Sequence, residues 1–115
     1  MNIKALIAGV GVFILAHVIT WFQLNGQFFS EWFKKNTFIL ALFGIPLSYL
    51  YIYGTKYCYE GFNGVIWPGR FIGFAVGMVV FALFASTVMN EGITMKTGVS
   101  LLLATALVAV QIFWK

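Results

Sequence analysis

His17, Thr20 and Gln23 stand three apart in an otherwise apolar stretch near the start of the chain. On a helix that spacing sets them roughly along one face. Polar groups at membrane depth are costly in lipid, so this face is expected to turn inward. His17 is the only histidine, and imidazole is the side chain whose ordinary pKa lies nearest neutrality. Two chemistries follow: loading and release of a proton or solute, or a neutral ring hydrogen-bonded to a Thr, Gln or carbonyl and holding helices together. A second set is Trp67 and Arg70, in Ile66-Trp67-Pro68-Gly69-Arg70. Trp67 reads as a pocket wall or an interfacial anchor, and Arg70 as a cargo ligand or a charge at the membrane boundary.

Other chemistry has no residues to run on. Cys58 is the only cysteine, so an internal disulfide is excluded and a role in packing is expected. One His and one Cys make no metal-ligand cluster. The carboxylates Glu31, Glu60 and Glu91 fall in or beside expected loops. No nucleophile with a base at usable spacing, carboxylate pair or phosphate-binding loop is visible, so no enzyme and no cofactor is expected. The net charge is +4, but the basic residues are scattered apart from Lys34-Lys35. A nucleic-acid surface would need them clustered; anchoring at membrane edges fits better.

The elements that must position these groups are four apolar runs. The chain is 62% hydrophobic and 9% charged, too little charge to cover a soluble domain of this size. Membrane lipid is therefore the expected surrounding. The run over residues 71–89 has no charge and is about 19 residues long, against the roughly 20 that span a bilayer core. Gly69, Gly73 and Gly77 stack on one face of it and suit close helix packing; this run is expected to be the central helix. The first run, residues 3–24, resembles a signal sequence behind Lys4. It lacks a clean cleavage site and is taken as a retained helix, with Ala5 and Gly9 as a packing seam and Asn25-Gly26 as its end.

Residues 27–36 read as an amphipathic connector at the headgroups, with Phe28, Phe29, Trp32 and Phe33 between charged residues. Helix 2 is expected over 37–53, bent at Pro46 and leaving at Gly54. Tyr49, Tyr51, Tyr53, Tyr57 and Tyr59 would form an interfacial girdle, and residues 55–64 a middle loop. Helix 3 covers about 65–89. It begins either near Val65, with Pro68 in its first turn and Arg70 inside the membrane end, or at Phe71, with Arg70 at the boundary; the second start is preferred. Asn90-Glu91-Gly92 is a tight turn in which glycine supplies the unusual backbone angle. Helix 4 covers 94–114, capped by Thr94, with Ser100 and Ala104, then Thr105 and Ala109, as packing pairs. The whole is a single all-α domain over residues 1–115.

Four spans place Lys4, Lys56, Arg70 and Lys115 on one side and Lys34, Lys35 and Lys96 on the other. Four against three fixes no orientation. Insertion both ways, and an antiparallel homodimer, are expected of so balanced a chain.

These features together resemble the small multidrug resistance transporters of the drug/metabolite transporter superfamily. In that family helix 1 carries a glutamate in an Ile-Leu-Ala-Glu-Val-Ile run, where this chain has Ile14-Leu15-Ala16-His17-Val18-Ile19. Helix 3 there has Ile-Trp-Ser-Gly; here it is Ile66-Trp67-Pro68-Gly69. The resemblance implies a four-helix transmembrane bundle, a homodimer and a bacterial-type inner (plasma) membrane. It places His17 where the family's glutamate binds protons and cationic cargo. An imidazole does not attract a lipophilic cation as a carboxylate does, and the family's binding-site tyrosine on helix 2 has no clear match. The expected activity is therefore transport or permeation of a small neutral or anionic solute, with His17, Thr20, Trp67 and Arg70 as the site. The alternative is a non-transporting accessory or structural subunit of a larger membrane complex.

Overall fold

The computed structural model describes residues 1–114, and Lys115, counted above among the charges, lies outside them. The described chain is all-helical. It comprises α1 (Ile3–Asn25), α2 (Glu31–Lys35), α3 (Thr37–Leu42), α4 (Gly44–Gly61), α5 (Trp67–Thr87) and α6 (Met95–Phe113), with a 3-10 turn at Gly26–Phe28. Four stretches are long and apolar enough to cross a membrane: Ile3–Phe28, Thr37–Gly61, Trp67–Thr87 and Met95–Phe113. The chain is thus a multi-pass membrane protein by length and composition.

The helices form a slab, 47 × 36 × 17 Å along its principal axes. α1 packs against both α4 and α5, whereas α6 packs against α5 and buries no residue of its own. α5 touches α1, α4 and α6, as expected of a central helix over residues 71–89, but the tightest seam joins α1 to α4. The cause is the small-residue seam of α1. A Cβ on Gly9 would lie 2.8 Å from Cys58 Sγ and 3.0 Å from its backbone nitrogen, so α1 and α4 meet nearly backbone to backbone. Ala16 and Cys58 are fully buried at the same seam. Asn2 ties the ends together: its side chain accepts from the Ala5 N–H, and its own N–H donates to the Gly61 carbonyl at 2.9 Å.

The second span departs from expectation twice. It breaks at Phe43, between α3 and α4. Pro46 has no N–H for the Leu42 carbonyl and its ring crowds that carbonyl, so the helix parts upstream of the proline and Pro46 sits in the first turn of α4. The span then runs past Gly54 to Gly61, so Thr55, Lys56, Tyr57, Cys58, Tyr59 and Glu60 are helical rather than a middle loop. Gly54 is a point of close approach, with Phe13 where a Cβ would be. The exit lies at Asn63 and Gly64, which have φ of 56° and 84°, the left-handed region that ends helices.

α5 begins at Trp67 with Pro68 in its first turn, so the preferred start at Phe71 is corrected and Arg70 belongs to the helix. Gly69, Gly73 and Gly77 do face the neighbouring helices. The turn before α6 also differs from expectation: Asn90, with φ of 57°, takes the left-handed conformation and Gly92 does not. Asparagine tolerates that region better than most side chains. Thr94 caps α6, its side chain accepting from the Thr97 N–H at 3.3 Å. Ala104 borders the groove between α5 and α6, but Ser100 is exposed and donates to its own helix's Lys96 carbonyl. Ser100 therefore packs no helix within one chain.

Candidate functional site

α1 and α5 run parallel, each antiparallel to α4, and their facing residues pair in a regular register. Phe13 lies opposite Gly73, and His17 opposite Gly77. Further along, Trp21 stacks on Phe84, with ring centroids 5.3 Å apart. Because the glycines are four apart, α5 offers α1 a strip without side chains, and the α1 rings fill it. His17 is the polar member of that row. Its level is the middle of α5, so the imidazole stands near half-height in the slab.

Three helices surround the ring. A Cβ at Gly77 would lie 2.8 Å from the imidazole Cε1, so α5 meets the ring with bare backbone. The Gly73 carbonyl faces it from the same helix. From α4, Tyr51 meets it edge-on at 5.4 Å between centroids, and Phe13 lies one turn below at 6.4 Å. Thr20 and Tyr51 share a hydrogen bond of 2.7 Å between their hydroxyls. Gln23 donates to the Leu40 carbonyl at 2.9 Å, closing the far end of the α1–α3 contact. The polar face of α1 thus turns inward, as its spacing implies.

Between α1 and α5 lies a cavity of about 420 Å³. Its polar lining is His17, Thr20, Asn25 and Arg70, and its apolar walls include Leu24, Phe74, Met78 and Phe81. No carboxylate lines it. Asn25 is satisfied by the Trp21 carbonyl at 3.0 Å. Trp21 also borders the space, is 4% exposed, and its indole N–H has no acceptor among the described residues.

Of the expected site residues, His17, Thr20 and Arg70 come together at this cavity. Trp67 does not. It is 66% exposed and borders a separate space at the chain's end, with Met1, Phe62, Gln111 and Trp114. The reason is its level along the helix. The cavity face of α5 carries Arg70, Gly73, Phe74 and Gly77, and Trp67 falls at the helix's outer end.

Tyr51 is the residue the spacing argument missed, because the five tyrosines read as one girdle. Tyr49, Tyr53 and Tyr59 are exposed as a girdle requires. The missed signal is the run Leu47, Tyr51, Gly54, Cys58, Gly61, at alternating spacings of four and three, which is the inward stripe of a helix continuing past Gly54.

Compared with protein-family models, curated proteins and solved structures, the chain matches none. Among the described residues no three His, Cys, Asp or Glu side chains group as metal ligands.

Proposed function

We propose that this chain is a small membrane transporter or permeation protein of the drug/metabolite type, working as a homodimer on a small neutral or anionic solute. The observation that carries the reading is His17 lining, at half-height, a cavity that also contains Arg70 and no carboxylate. Ionisable groups inside a membrane are expensive, and their retention at a cavity is the mark of a solute or proton path. The register of Ile14-Leu15-Ala16-His17-Val18-Ile19 with the glutamate-bearing run of the small multidrug resistance transporters supports the same reading. A positive lining disfavours lipophilic cations, so cargo selectivity is the reverse of that family's.

α6 supports the dimer, since none of its residues is fully buried within one chain and a second copy would cover its outer face. The same observation favours a second reading, an accessory subunit whose α6 docks on a larger membrane complex. Reconstituted vesicles separate the two. Solute entry that depends on the protein and falls tenfold or more in a folded His17→Ala variant is expected of a transporter. An accessory gives no flux in either form.

A further inference from the structure

We infer that the α1–α5 cavity is a binding site for an aromatic monocarboxylate, its carboxylate held by Arg70 and its ring lying beside Phe74 with its far edge towards His17. This rests on the transport reading only for what happens after binding; the site itself stands on the lining.

The charge balance is the first argument. Arg70 is the sole full charge of the lining, and none of the three glutamates is there to neutralise it. A planar guanidinium presents paired N–H donors that match the two oxygens of a carboxylate. A single cation answers a single negative charge, where a phosphate dianion would leave one charge unpaired beside apolar walls.

The walls give the body of the ligand. Phe74 lies one turn on from Arg70, and the His17 imidazole faces Gly77 beyond it; aromatic rings favour offset or edge-on contact with another ring. Arg70 and Gly77 are seven residues apart on α5, about 10 Å along the axis. An arginine side chain covers part of that distance, and a benzoate or phenylacetate the rest, which brings the ring's far edge towards His17.

The test is equilibrium binding of radiolabelled benzoate to the full chain in lipid nanodiscs, with benzamide, its uncharged isostere, as competitor. Benzoate is expected to compete at least about tenfold better than benzamide. Arg70→Gln is expected to remove that preference and Arg70→Lys to restore part of it. Arg70 is exposed, so neither change disturbs the packing. Equal competition by the two in the unaltered chain, or a preference that survives Arg70→Gln, overturns the assignment. Vesicle flux keeps the two conclusions apart. Arg70-dependent benzoate binding without flux retains the site and removes the transporter. Flux of solutes with no Arg70-dependent preference retains the transporter and removes the site.

Discussion

The His17 imidazole rests on Gly77, at a place where a methyl group would come within 2.8 Å of Cε1. One turn away, a methyl on Gly73 would meet Phe13 at 3.7 Å, an ordinary contact. The two glycines therefore respond differently to the same substitution. Gly77→Ala should destabilise the protein by about 1–3 kcal/mol through overpacking and displace the imidazole. Gly73→Ala should be neutral, or stabilising by up to about 1 kcal/mol from helix propensity. Unfolding of each variant in mixed micelles measures the contrast, and equal effects would refute the packing around the ring.

The Thr20–Tyr51 bond links α1 to α4 beside His17. Hydrogen bonds between membrane helices are modest, about 0.6 kcal/mol on average. A double-mutant cycle of Thr20→Val and Tyr51→Phe should return a coupling of that order. Because Tyr51 also meets the imidazole edge-on, Tyr51→Phe should shift the His17 ring resonances in NMR spectra more than Thr20→Val does. A coupling indistinguishable from zero would show that the two hydroxyls bond elsewhere.

Gly9 and Cys58 form the closest approach of α1 and α4. A Cβ at Gly9 meets backbone as well as Sγ, so no rotamer change relieves it. Gly9→Ala should force the helices apart and lower stability by about 1–3 kcal/mol. Cys58 reports this directly. It is fully buried, so a maleimide should label it slowly in the folded protein and at least about tenfold faster in the variant.

Replacing the imidazole by a carboxylate puts a negative charge at half-height. His17→Glu should weaken benzoate binding and create affinity for a lipophilic cation such as tetraphenylphosphonium, since opposite charges attract strongly in an apolar cavity. Competition binding with both probes reads the change. Unaltered preference for both would place His17 outside the solute's reach.

Much of the architecture was legible from four apolar runs and the residues that punctuate them. The first and last spans were readable because Asn25-Gly26 and Thr94 mark boundaries in the ordinary way. The second span was misread at Gly54 because the same residue type serves two purposes. A glycine ends a helix when its backbone turns left-handed, and permits close packing when a neighbour presses on it; only the position of Phe13 tells these apart. At the site, the inward face of α1 was legible from His17, Thr20 and Gln23, since polarity in a greasy helix has a direction. Arg70 joined them and Trp67 did not, because a shift of a few residues in the start of α5 decides which belongs to the membrane end. Tyr51 was hidden among similar tyrosines, and its role depends on the full length of α4.

The lateral arrangement of the helices bears on how the protein is made. Every residue lining the His17 cavity lies between positions 17 and 81, and α6 touches mainly the outer side of α5. A ribosome has therefore delivered the complete chamber wall before the last span leaves its exit tunnel. That final segment joins as an outrigger, bordering the chamber wall only through Phe74 and Met78.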